Sequence, residues 1–533
     1  MVRRIPVNNK IKKSLYWFIL LQPFLDFYWF YNPPLSTILP FTFPTIIRIF
    51  AVATLLGMFF SKKYHWQKIG KHWWIIAYTI VLIIYSALHI WHVKSFVSVN
   101  PNDYGYTTTG EIFYLIRMFL PIVVLYITAN SNTEKKDFVR VIQSLVASIS
   151  ITIVLSNLFL ISLMSYGNQF IQGNIFSWFS GKRMSYFLLA SKGFFNFANT
   201  ISAILFMLLP LMLYILVTQF NLINVILYIF QSLAMLELGT KVAAYGLIIS
   251  SAIFVFLYLI HHFVFKNIKI NNYAISIIVL GTLATGLIFP FSPAIQRGNF
   301  EEKITELRSN KKNHIKSHKQ VDVSQTLKEG LKKHSGKKRE KFLKNFFAKY
   351  SDFYSLNSRF VKQSYSYKYD PEFWLEIIKL PVQDRMNNRL IEQKMLNQVL
   401  KTNNNKLDKW LGISYVRETN IFNLERDFIA QTYSLGLIGM IIFVGIYLVI
   451  LIYAGFKWII NSQNRSFLNS CLLTSSSFLI FSSYYSGNVM DFLTATLILS
   501  FIMGYLLKSL NTTKKDGELR PTPSHFLFSS SII

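Results

Sequence analysis

The stretch NLERDFIAQTYSLGLIGMIIFVGIYLVILIYAG, residues 423–455, sets three adjacent charges, Glu425, Arg426 and Asp427, against a run that carries no further charge to its end. About twenty apolar residues suffice to cross a bilayer as a helix, so this run predicts a membrane span over 428–456. The charges on its doorstep either mark where the bilayer ends or line the mouth of a site. The same criterion, applied outward, predicts spans at 14–32, 44–60, 73–91, 111–129, 138–164, 198–218, 222–239, 242–265, 272–292, 466–485 and 488–507. The expected fold is an all-α polytopic membrane protein of about twelve transmembrane helices. Composition agrees: 52% of the 533 residues are hydrophobic and 15% charged, against roughly a quarter charged in soluble domains. One cysteine, Cys471, leaves no disulfide framework and no cysteine-based metal site.

The formal charge of +30 suits cytoplasmic loops and surfaces facing anionic lipid. Nucleic acid is not an expected partner, because no soluble nucleic-acid-binding pattern is visible. The N-terminal MVRRIPVNNKIKK and the segments SKKYHWQKIGKH, SNTEKKDFVR, HHFVFKNIK, KWIINSQNR and KSLNTTKKDGELR are basic. All fall on one side if both termini are cytoplasmic, whereas alternate loops such as YNPPLSTILPFTFP and YYSGN lack Lys and Arg. The first helix reads as a retained signal anchor. The chain then divides into helices one to nine (1–292), a large outer loop (293–427), helices ten to twelve (428–507) and a cytoplasmic tail (508–533). Long loops translocate regardless of charge. The first half of this loop is basic and expected to be mobile or helical on the surface. Its second half is aromatic-rich and expected to form a small helical subdomain, with Asp370 capping a helix that starts at Pro371.

Ionisable groups inside spans are costly and mark candidate sites. Asp26 lies within helix one, four residues after Gln22 and past Pro23. It bonds either freed backbone or a neighbouring helix, or it serves function. Arg48 and Arg117 lie in the outer parts of helices two and four. Lys192 precedes helix six, followed by Asn196 and Asn199 at a spacing that shares one helical side. Lys241 stands at the outward turn after Glu237. Each cation can be read as snorkelling to the interface; around a polar cavity the four would clamp phosphate oxygens. The Trp- and Tyr-rich clusters, IWH at 90–92 among them, read as interfacial belts.

With these residues assembled, the chain resembles the O-antigen polymerase and O-antigen ligase family in its Gram-positive capsule and exopolysaccharide branch. The resemblance rests on LQPFLDF (21–27), KGFFNFANTISAILFMLLP (192–210), LGTKVAAYG (238–246) and LGISY (411–415) followed by NLERDFIAQTYSLGLIG (423–439). One large outer loop between helices nine and ten adds to it. In many relatives the last outer turn resembles Gly-His; SGNVMDF here puts Asn488 in that place. The resemblance implies a GT-C-like glycosyltransferase of the bacterial cytoplasmic membrane that uses no cofactor and no metal. Its partners would be undecaprenyl-pyrophosphate-linked oligosaccharide and membrane lipids, with a flippase and a chain-length regulator of a polysaccharide export system.

The residues fit such chemistry. Loss of pyrophosphate develops charge that Arg48, Arg117, Lys192, Asn196, Asn199, Lys241 and Arg426 are placed to stabilise. The attacking hydroxyl must lose a proton; Glu425 is the expected base, with Asp427 as orienter or alternative base, Arg426 beside it and Arg417 earlier in the chain. The rival readings are a ligase that passes finished polymer to another acceptor, a lipid-linked oligosaccharide transporter, and a non-catalytic scaffold.

Overall fold

A computed structural model describes residues 9–31, 42–62, 66, 73–180, 184–314, 318–422, 424, 426–515 and 518–521. Among these residues nine helices are long and apolar enough to cross a membrane. Asn9–Leu25, Leu222–Glu237 and Phe467–Tyr485 fill the three remaining predicted places. The described secondary structure is otherwise short helices and one hairpin, Thr512–Lys515 paired with Glu518–Pro521. This is an all-α, multi-pass membrane protein.

Three predicted spans differ in detail, each for a local reason. Helix one ends at Leu25, two residues beyond Pro23, and a short turn of helix resumes at Tyr28–Tyr31. Between them Phe27 pairs in strand fashion with Phe195, and the Tyr28 amide donates to the Phe194 carbonyl at 2.8 Å. The helix predicted over 138–164 stops at Leu158, and Leu160 takes a positive φ of 59°. The opening stretch is broken: Asp427–Ser434 and Gly436–Gly439 precede a π-helical turn, Met440–Val444, and only then Gly445–Ile460. A π turn interrupts the regular ladder, and the Tyr78 hydroxyl donates to the Ile442 carbonyl at 2.6 Å.

The chain forms two compact units. The first comprises Met1–Ile83, Phe113–Arg297 and Ile442–Ile533. Its centre is helix Ala198–Thr218, buried along its span and packed against Phe467–Tyr485, Lys241–Phe263 and Leu222–Glu237. The very short turn after Glu237 does separate two helices, because the Thr240 side chain caps the second through the Ala243 amide.

The second unit comprises Ile84–Ile112 and Gly298–Ile441. Its apolar core gathers Leu343, Phe347, Phe360, Trp374, Met395 and Ile413. Asp370 caps helix Pro371–Ile378 by accepting the Phe373 amide at 3.0 Å. Helix Asn388–Asn403 ends where Asn404 turns left-handed, at φ 52°. The basic half of the loop is helical where described, through His318–Lys333 and Gly336–Tyr350. Inclusion of Ile84–Ile112 in this unit was not expected from the sequence.

Candidate functional site

In the first unit, the broken end of helix one meets helix Phe43–Phe60 through a fully buried guanidinium. Arg48 donates to Gln22 Oε1 at 2.8 Å and to Asp26 Oδ1 at 2.8 Å, and also to the Thr494 hydroxyl. Its remaining terminal nitrogen, Nη1, is buried without a hydrogen-bond partner. The Asp26 backbone carbonyl accepts the Asn196 amide at 2.8 Å. Asp26 thus pairs with the neighbouring helix and also ties the segment before helix Ala198–Thr218 to the Arg48 network.

Three residues before Thr494, Asp491 binds a second cation. Arg117 donates to the Asp491 backbone carbonyl and lies 3.3 Å from its carboxylate, while the Tyr114 hydroxyl donates to the other carboxylate oxygen at 3.2 Å. A small cavity opens here, lined by Arg117, Pro121, Val444, Tyr447, Asp491 and Thr496. Its wall includes the last residue of the π turn. Thr200 donates to the Asn488 carbonyl at 2.9 Å, and the Phe197 and Phe492 rings lie 4.1 Å apart. Asn488 therefore serves the turn through its backbone, at a φ of 55°.

Lys192 completes the cluster. Its ammonium donates to the Asn196 carbonyl at 2.9 Å and, at 3.5 Å, to the Asn168 side chain. Among the described residues no carboxylate pairs with it, and burial pushes its pKa down to about 8. Asn196 and Asn199 are half-buried. Lys241 opens helix Lys241–Phe263 and is exposed. Of the four expected clamp cations, the hydrogen bonds link Arg48, Arg117 and Lys192 around the 26–31, 192–200 and 488–494 segments. Two of those three already carry a carboxylate. A buried ammonium with one short hydrogen bond carries a desolvation cost that a further acceptor would offset.

The second unit holds the residues expected for proton transfer. Glu425 lies outside the described residues. Arg426 is exposed, and Asp427 is buried in the first turn of Asp427–Ser434, where a negative charge complements the helix dipole. Arg417 is locked. It binds Asp103 in a fork at 2.9 and 2.6 Å, donates to the carbonyls of Val93 and Ile413, and lies between the Phe96 and Tyr106 rings. Every nitrogen of its guanidinium has an acceptor, which makes it a pin between the 93–106 and 413–417 segments.

Sequence reasoning missed several buried polar groups. Asp491 lies inside SGNVMDF, three residues after Asn488. His89, which no reading singled out, and His92, read as part of an aromatic belt, face Glu111 at 2.8 Å and Asp408 at 2.9 Å. The other ring nitrogen of His89 faces the Leu411 carbonyl. The histidines' spacing of three residues on one helix face was the available signal. No curated protein matches the chain. A family model described as O-antigen ligase like membrane protein matches residues 8–513, nearly the whole chain, and the chain belongs to that family.

Proposed function

We propose that this protein is a polymerase that joins undecaprenyl-pyrophosphate-linked oligosaccharide repeat units at the outer face of the bacterial cytoplasmic membrane. The family comprises membrane enzymes that transfer glycosyl chains as polymerases or ligases. In the proposed reaction the acceptor hydroxyl oxygen attacks the anomeric carbon, and the carbon–oxygen bond to pyrophosphate breaks. Pyrophosphate leaves with the electron pair, and the hydroxyl proton passes to a base. Lys192 meets the developing negative charge, with Arg117 as its neighbour in the cluster and Arg48 holding the frame through Asp26. Cations already in place at the leaving group lower the barrier without reorganising. One observation carries this reading: Lys192 is buried, cationic and without a carboxylate partner among the described residues. No cofactor or metal enters the scheme.

The test supplies purified protein in lipid nanodiscs with undecaprenyl-pyrophosphate-linked repeat units, without nucleotide sugar and with chelator present. The expected product is a ladder of lipid-linked oligomers that Lys192→Gln forms far more slowly. Glu425→Gln, run alongside, tests the base separately. Transfer only to an added second acceptor would make the protein a ligase. Unchanged substrate in every arm would remove the enzymatic reading and favour transport.

A further inference from the structure

Between helices Lys135–Leu158 and Ala198–Thr218 the first unit carries a segment, described over 159–180 and 184–197, that crosses nothing yet has a fold of its own. Leu163 pairs with Phe170 and Met164 with Ser191 in isolated bridges. The Asn157 side chain accepts the Ile175 amide at 3.0 Å and donates to the Ser191 hydroxyl at 2.9 Å. One side is buried, through Leu163, Ile171, Trp178, Tyr186 and Leu189. The other presents Phe159, Ile161, Phe170, Phe176, Phe179 and Phe187, all exposed, with Phe159 at 71% and Phe176 at 70%. Six large apolar side chains on one short extramembrane stretch exceed the scattered exposure that water-facing surfaces show.

That apolar side continues the bundle's own apolar surface. Helix Lys135–Leu158, which runs straight into Phe159, exposes Ile151 and Leu155. The Phe179 ring lies 5.2 Å from Phe291, just past helix Asn272–Ile288, whose Leu283 and Leu287 are exposed. Exposed apolar side chains on spanning helices face acyl chains. The exposed phenylalanines of the segment that adjoin these helices, Phe159 after Leu155 and Phe179 beside Phe291, have the same neighbour.

We propose that the described parts of this segment, 159–180 and 184–190, form an interfacial membrane element, lying in the plane of one leaflet with its phenylalanine side at the boundary of headgroups and acyl chains. The occupant is the bilayer itself. The Lys192 amide donates to the Leu163 carbonyl at 2.9 Å, and the Leu163 amide to the Gly193 carbonyl at 2.8 Å. Seating the element at the interface therefore fixes Lys192 at the height of lipid phosphates. That consequence rests on the pyrophosphate reading of Lys192; the seating does not.

Cys471 is fully buried, so single cysteines can be spin-labelled without background. The full chain in nanodiscs would carry a label at Phe159→Cys, Phe170→Cys or Phe176→Cys, with Ile161→Cys and Phe179→Cys as second reporters should one fail to fold. Leu283→Cys is the bilayer control and Lys337→Cys the water control. The expected result is relaxation by oxygen that exceeds relaxation by a water-soluble nickel chelate, as at Leu283, with depths just below the phosphates. Labels that behave like Lys337 would overturn the proposal, and labels shielded from both reagents would replace the bilayer with a protein partner. No substrate enters the measurement, so it stands or falls apart from the glycosyl-transfer reading.

Discussion

Lys192 behaves differently from the arginines because its charge is the one that ordinary pH can remove. With its pKa lowered from 10.5 to about 8 by burial, it is charged below that value and loses its proton as pH rises through it. Anion binding follows the charged form, so transfer should be full below about 8 and decline above it. Stability moves the opposite way: between about 8 and 10.5 the unfolded lysine holds a proton that the folded one has shed, so rising pH across that window favours folding. Lys192→Gln is expected to lower kcat/KM on the order of 10²-fold, the loss typical of one oxyanion-stabilising donor. Lys192→Arg should keep activity at pH values where the wild type declines; a pH–rate profile decides. The Arg48–Asp26 pair calls for a different outcome. Asp26→Asn leaves a buried guanidinium without its counter-charge, a loss of about 3–5 kcal/mol, read as a large drop in thermal midpoint. Asp26 and Arg48 stood out in the sequence because charges in spans are rare. Their pairing did not, since twenty-two positions and a helix break separate them. Asp491 was hidden for another reason: a carboxylate just before the start of a helix looks like an ordinary cap.

Most helices could be placed from apolar run length alone, because the bilayer fixes how long a span must be. Breaks within them could not. The run 428–456 has no charge and no proline, yet its helix turns at Gly436 and loosens into a π turn at Met440–Val444. The reason is tertiary. Gly412 and Gly436 have φ of 79° and 71°, the Ile413 and Ser414 amides donate to the carbonyls of Tyr433 and Ser434, and the Tyr85 hydroxyl donates to Leu435. A Cβ on Gly436 would lie 2.3 Å from the Trp410 backbone, and one on Gly412 2.2 Å from the Ser434 carbonyl. The LG pairs at 411–412 and 435–436, two of the features behind the family resemblance, are thus the two faces of one close backbone contact. Gly436→Ala meets that backbone on top of about 1–2 kcal/mol for a left-handed non-glycine residue. The expected result is faster protease cleavage within Gly298–Ile441, measured on the purified protein, while Gly455→Ala, in open space, leaves the cleavage rate unchanged.

At the scale of the molecule, the expected orientation comes from where the net charge of +30 lies. Short loops keep Lys and Arg on the cytoplasmic side because these residues resist translocation; long loops cross regardless. That argument puts Ser61 and Ser462, in basic connections, inside, and the segment 293–427 outside. Cysteine mapping tests it directly, since Cys471 is buried while Ser61, Ser335, Lys406 and Ser462 are exposed. Under a membrane-impermeant maleimide on intact cells, Ser335→Cys and Lys406→Cys should label fully. Ser61→Cys and Ser462→Cys should label only after lysis. The reverse pattern would set the second unit in the cytoplasm and, with it, remove the proposed reaction at the outer face. Labelling of all four positions from outside would contradict the single crossing, Gly436–Ile460, that separates Lys406 from Ser462.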